Sequence, residues 1–224
     1  SDEASNGPLA PVESGGALRA VDLREVRGHE SASDEGRVLV TLVVQRDRAG
    51  ERELYEEVGR VLMQEEPRIL GVALNYHEGE SPQILGGETV VVAGVATAPD
   101  RIGAATHEAT YGSFVQAHRG QAERVHKTVT ELLGIGKGGK RPRVLDLYGG
   151  SGAIALALAQ AGADVHLVES FAPAGAQVLE SAKRSSLPVK AEAADVSSAL
   201  RRFAEQKDAF DGAVVNPPRR GTSS

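Results

Sequence analysis

The chain has 224 residues, of which 41% are hydrophobic and 4% aromatic, so it can bury an aliphatic core in one large or two small domains. Its net charge of −6 argues against a broadly basic nucleic-acid-binding surface, and the absence of Cys excludes disulfides, thiolate metal sites and a Cys nucleophile within these residues. Neither an apolar run of about 18 residues nor a signal peptide is present. We therefore expect a cytoplasmic protein with no membrane partner.

The first half of the chain predicts a small α+β domain. Residues 1–16, rich in Ser, Gly, Pro and acids, are predicted to be a disordered linker. Apolar spacing predicts a helix over 53–66 that Pro67 ends. Strands are predicted at 17–28, 37–46, 68–78 and 88–96. We interpret 17–112 as one domain with an antiparallel sheet.

The second half predicts an alternating α/β domain. A helix over Arg119–Leu133 lies within a connecting segment, 113–142, and 143–224 then alternates strand and helix. The strands are predicted at 143–148, 164–169, 188–192 and 211–215, with helices at 152–161, 173–184 and 196–206. Such alternation predicts a parallel sheet with crossover helices, that is, a Rossmann-like domain.

A glycine-rich turn joins the first strand and helix of this domain, in "LDLYGGSGAIALALA". Glycines allow a ligand to approach the backbone, and the helix N-terminus presents free N–H groups. Glu169 ends the next strand, where it can accept hydrogen bonds from ribose hydroxyls. The combination indicates an adenosine-bearing cofactor, although a turn that needs glycine only for packing would look similar.

Three chemistries are compatible with this turn. "GSGAIA" fits the motif of NAD-type oxidoreductases. "GGSGA" approaches the nucleophile elbow of hydrolases, with Ser151 as nucleophile, but Ala153 replaces its last Gly and no suitable Asp and His follow. Asp146 before the turn, Glu169 after the second strand and "NPP" after the fourth favour an S-adenosylmethionine-dependent methyltransferase.

The "NPP" motif, which begins at Asn216, follows the fourth strand at the edge where ligands bind in open α/β sheets. Two prolines fix the backbone, so the Asn side chain is held in one orientation. A loop that only ends a strand is the alternative. Arg219 follows the motif where an amino-methyltransferase usually has an aromatic residue, which disfavours that class.

These segments, in this order, resemble the RNA uracil-5-methyltransferases that act on ribosomal or transfer RNA. The resemblance extends over about 17–221 and includes "ALRAVDLREVRG", "ILGVALNYHEGESPQILGGETVVVAG", "SFVQAHRGQAERV", "LDLYGGSG", "VES" and "VVNPPRRG". It implies a class I methyltransferase fold whose first four parallel strands are present, in the spatial order 3-2-1-4. It also implies S-adenosylmethionine as cofactor, RNA as partner and a part in RNA methylation and rRNA processing.

The resemblance assigns a role to each cofactor residue. Gln116 would touch the cofactor, and Tyr148 would pack near its adenosine. The backbone of Gly150–Gly152 would line the methionine end. Glu169 would hold the ribose and Asp195 would face the adenine.

For the substrate, the resemblance places Asn216 near both the methyl donor and the target base, with Arg219 beside the RNA. Three positions depart from the family. Asn216 stands where Asp is more frequent, His118 where Asn is usual, and Gly149 where Cys is common.

In the family, a Cys thiolate adds to C6 of uracil, C5 takes the methyl group, and a carboxylate base removes the C5 proton. Both groups follow the "NPP" motif in relatives, so we expect the chain to stop before them, with no catalytic residue among those present. The fourth strand would then be a bare sheet edge, covered by a missing segment or by a dimer partner. A non-catalytic remnant that binds cofactor or RNA is the alternative. The six His residues show no metal-ligand spacing and are predicted to lie on the surface or to cap helices.

Overall fold

The computed structural model describes residues 9–28, 36–79, 83–112, 118–137, 139–217 and 221. Its contacts divide the chain into two compact units, the first made of 1–98 with 109–112 and the second of 99–108 with 113–224. The helix predicted within the connecting segment therefore groups with the second unit. The domain boundaries at 16, 112 and 142 stay predictions.

The first unit is a four-stranded mixed sheet with one helix. Its elements are β1 (Leu18–Val26), β2 (Arg37–Gln45), α1 (Arg52–Glu65), β3 (Ile69–His77) and β4 (Glu88–Gly94). The strand order is β1-β2-β3-β4, with β2 and β3 parallel and the other pairs antiparallel. The expectation of an antiparallel sheet is thus wrong at its centre, because α1 crosses over and returns the chain to the starting end of β2.

A hairpin of β5 (Thr97–Ile102) and β6 (Ala105–Thr110) follows, and no strand was predicted there. Its sequences, "TAPDRI" and "ATHEAT", are too polar to give a strand signal. Within the second unit, this hairpin buries Asp100, whose carboxylate accepts a hydrogen bond at 2.7 Å from the guanidinium of Arg119. A buried charged residue, Asp100, therefore interrupts the alternation of apolar and polar residues by which strands are predicted.

Three histidines of the described ranges are more buried than expected. His118 does cap a helix, since its Nδ1 accepts a hydrogen bond from the Gln121 N–H at 3.2 Å. His77, His107 and His126, however, are each less than a tenth exposed, which contradicts the prediction of surface positions.

The second unit contains the predicted parallel sheet. Its elements after the hairpin are α2 (Arg119–Leu132), β7 (Arg143–Leu147), α3 (Ala153–Gln160), β8 (Asp164–Glu169), α4 (Ala172–Arg184), β9 (Val189–Ala193), α5 (Val196–Glu205) and β10 (Gly212–Val215). The order is β10-β7-β8-β9 and all pairs are parallel. This confirms both the alternation and the order 3-2-1-4.

Two apolar layers hold this sheet. On one face Val144, Val165 and Leu167 pack with residues of α3 and α4, and on the other Leu145 and Val168 pack with α5. The two inner strands, β7 and β8, have side chains buried on both faces, as is typical of a parallel sheet. The carboxyl ends of all four strands consequently lie along one edge of a rigid sheet.

Strand β10 is an outer strand of this sheet in the described part of the chain, and Val215 is 52% exposed there. What covers this edge stays a prediction. Among the helices of the described ranges, none combines the length and apolar character that a membrane span requires.

Candidate functional site

The glycine turn between β7 and α3 has a left-handed backbone at three positions. Tyr148 has a φ of 60°, Gly150 of 54° and Gly152 of 73°. Position 152 requires glycine for two reasons: its left-handed backbone, and the 2.4 Å that would separate an added Cβ from Cγ2 of buried Val178. An added Cβ at Gly150 would meet none of the described atoms within 4 Å. The turn is therefore tightly packed against the core at Gly152 and open at Gly150.

Glu169, at the end of β8, binds this turn directly. Its Oε2 accepts a hydrogen bond from the Gly150 N–H at 3.0 Å, and its Oε1 accepts one from the Phe171 N–H at 2.9 Å. The carboxylate thus joins the glycine turn to the start of α4. Oε1 also accepts a hydrogen bond from the Ser170 hydroxyl at 3.2 Å, so Oε2 is the oxygen with a second lone pair for a further hydrogen bond.

Asp195 follows β9 and Asn216 follows β10, both at the carboxyl ends of the parallel strands. Oδ1 of Asp195 accepts hydrogen bonds from the N–H and the hydroxyl of Ser198, at 2.9 and 3.1 Å, and so caps α5. These hydrogen bonds, above all that of the Ser198 N–H, lower the pKa of Asp195. Asn216 is exposed, and its N–H donates to the Leu147 carbonyl at 3.3 Å, which keeps it beside β7.

Asp146, which precedes the glycine turn, was not predicted as a site residue. This carboxylate is 1% exposed, and neither oxygen has a partner at hydrogen-bond geometry among the described residues. Burial raises its pKa to about 7; the nearby Ala155 N–H lowers the pKa in part, and the charge of Glu169 raises it. An acid inside the apolar strand "RVLDL" was the available signal.

The structure therefore brings six of the predicted residues to one edge of the sheet, namely Tyr148, Gly150, Gly152, Glu169, Asp195 and Asn216. Gln116 and Arg219 lie outside the described residues, so their roles stay predictions. In the described ranges, no three His, Asp or Glu side chains are placed to hold a metal ion together.

Comparison with known sequences gives a consistent class of relatives. A family described as "Conserved hypothetical protein 95" matches residues 113–222. An uncharacterized RNA methyltransferase of Geobacter sulfurreducens is 29% identical over 171 residues, which are 75% of this chain and 34% of that protein. Another, of Lactococcus lactis, is 27% identical over 187 residues, 83% of this chain and 40% of that protein. The chain thus spans well under half of these relatives.

Solved structures identify the fold. The Pyrococcus abyssi tRNA (uracil-54, C5)-methyltransferase, solved with S-adenosylhomocysteine, matches 95% of this chain and 46% of its own, with a TM-score of 0.63 and 20% identity. A SAM-dependent methyltransferase of Agrobacterium tumefaciens matches 89% of this chain and 60% of its own, with a TM-score of 0.53 and 15% identity.

The second unit has a Rossmann-like class I methyltransferase fold. In that fold, the edge that carries the glycine turn is the carboxyl edge, where open α/β sheets bind their ligands. The relatives and structures do not support the NAD-type oxidoreductase that the same turn had left open.

Proposed function

We propose that this chain carries the cofactor site of an S-adenosylmethionine-dependent RNA methyltransferase. The observation that carries the proposal is the hydrogen bond between Glu169 and the Gly150 N–H, which fixes an acid beside an open glycine turn. RNA as the substrate class is supported by the relatives, whose names describe RNA methyltransferases.

The site has groups suited to the ribose, the adenine and the methionine end of this cofactor. Oε2 of Glu169 has a lone pair left for a ribose hydroxyl, and Oδ2 of Asp195 can accept from the adenine amino group. The methionine end would follow the open backbone at Gly150 toward the N-terminus of α3. Bound there, the cofactor supplies an electrophilic methyl group. Its positive charge suits a site in which Asp146 and Glu169 are both acids.

We further propose that the target is C5 of uracil in ribosomal or transfer RNA. The resemblance of "VVNPPRRG" to the uracil-5-methyltransferases supports this, as does the likeness of the fold to the Pyrococcus abyssi enzyme. Asn216 would lie between methyl donor and base, because it follows β10 and is held beside the end of β7. The 224 residues contain no Cys, so the nucleophile of this chemistry is not among them.

Calorimetric titration with S-adenosylhomocysteine tests the cofactor site. Glu169→Ala should weaken binding at least tenfold, since about 1.5–3 kcal/mol is typical for hydrogen bonds to a charged group. Glu180→Ala removes an exposed acid on α4 and should leave the affinity unchanged. Circular dichroism of each variant verifies the fold. Equal affinities in all three proteins, or no binding by the unmodified chain, would count against the proposal.

A further inference from the structure

Asp146 lies directly under the glycine turn, level with apolar side chains on both neighbouring strands. It pairs in register with Leu167 of β8 and Val214 of β10. Its side chain is 1% exposed, and neither oxygen has a partner at hydrogen-bond geometry within the described ranges, while the nearby Ala155 N–H offsets part of the cost of burial. A carboxylate buried among apolar side chains is costly to ionise, because burial disfavours the charged form.

Glu169 is the charged residue that acts on Asp146. Helix α4 packs on the same face of the sheet, and its charged residues are exposed, namely Glu180, Lys183 and Arg184. Helix α3, which packs above Asp146, has the sequence "AIALALAQ" and no ionisable side chain. Strand β8 contributes Glu169, whose negative charge disfavours ionisation of Asp146. His166, the other titratable side chain in the middle of β8, is level with Leu145 and so belongs to the opposite face of the sheet.

We propose that binding of the cationic cofactor drives a proton off Asp146, so that cofactor affinity is linked to pH through this residue. The proposal rests on the proposed function, since the cofactor must lie at the glycine turn. In the empty protein the carboxylic acid is protonated in a large share of molecules. The sulfonium and ammonium charges of the bound cofactor stabilise the carboxylate form. The O–H bond of the carboxylic acid therefore breaks, and the proton passes to the buffer.

The linkage has a defined size near neutral pH. With the pKa of Asp146 at about 7 in the empty protein, binding at pH 7 should release roughly half a proton. Affinity should then rise roughly tenfold between pH 6 and pH 8 if the bound form is fully ionised. A group with an ordinary carboxyl pKa would already be ionised over this range and would give neither effect.

Calorimetry of S-adenosylmethionine binding at pH 7, in two buffers with different ionisation enthalpies, measures the proton directly. Binding by the unmodified chain should be more exothermic in Tris than in PIPES, because the released proton is taken up by the buffer. Equal heats, or a more endothermic signal in Tris, would overturn the linkage even if no variant folds.

The matched variants assign the proton to its residue. Asp146→Asn should abolish the buffer difference and flatten the pH dependence relative to the unmodified chain, while the titration of the ligand's own groups is common to both. Asp164→Asn, an exposed acid at the other end of β8, should retain both effects. A buffer difference that persists in Asp146→Asn overturns the assignment. If no S-adenosylmethionine binds in any buffer, the proposed function itself fails.

Discussion

Asp146→Asn is expected to stabilise the chain at alkaline pH, by about 4 kcal/mol in the free energy of unfolding at pH 8.5. The pKa of Asp146 is raised from 3.8 to about 7 in the folded protein, so the folded state binds more protons than the unfolded state between these values. The protonated side chain of Asp146 therefore contributes fully to stability below its unfolded-state pKa of 3.8. This contribution is lost as the pH rises through the folded-state pKa of about 7. Asparagine is neutral throughout and does not lose it.

Urea unfolding at pH 5 and pH 8.5 measures this effect. The advantage of the asparagine variant should shrink to less than half at pH 5, because the native acid is then still protonated while the unfolded one is ionised. Asp164→Asn should show no such trend, since its side chain is 50% exposed. A variant that is destabilised equally at both pH values would show that Asp146 is ionised and stabilised in the native state.

Gly152→Ala should cost roughly 2–5 kcal/mol of stability. A side chain at its left-handed backbone costs about 1–2 kcal/mol, and overpacking a core costs typically 1–3 kcal/mol more. The added Cβ would meet Cγ2 of Val178 at 2.4 Å, and this residue of α4 is fully buried. Thermal or urea unfolding would give the loss.

Gly150→Ala is the matched control for this variant. It has the same kind of backbone strain but open space around the new methyl group, so about 1–2 kcal/mol of stability should be lost. Its larger effect should fall on S-adenosylhomocysteine affinity, because the methyl group would occupy the space proposed for the cofactor. Equal stability losses in the two variants would contradict the packing role of Gly152.

The sequence predicted the second unit well because two signals agree there. Apolar strands alternate with helices, and the glycine turn marks one joint between them. The ends of β8 and β10 could be placed from "VES" and "VVNPP", so Glu169 and Asn216 were expected at the edge where the structure has them.

Other features depend on pairing or burial, which no local pattern reveals. Whether β2 and β3 run parallel depends on where α1 returns the chain, and the helical pattern alone does not determine this. The β5–β6 hairpin is stabilised in part through the buried ion pair of Asp100 with Arg119. The raised pKa of Asp146 arises mainly from burial, which is a property of the assembled sheet.

The proposed cofactor residues also have structural roles in the chain itself. Glu169 joins the glycine turn to α4, and Asp195 caps α5. These carboxylates are therefore already oriented for a ligand that donates hydrogen bonds to them, which lowers the entropic cost of binding. The same dual role means that their variants must be checked for folding before any loss of affinity is interpreted.

Mass spectrometry of nucleosides from cellular RNA tests the central claim most directly. Cells that lack the coding sequence of this protein should lose 5-methyluridine from one site in ribosomal or transfer RNA, and the unmodified gene should restore it. A gene that carries Glu169→Ala should restore less 5-methyluridine than the unmodified gene. Loss of a different methylated nucleoside would contradict uracil C5 as the target. An unchanged set of nucleosides would contradict RNA methyl transfer and favour a non-catalytic binding role.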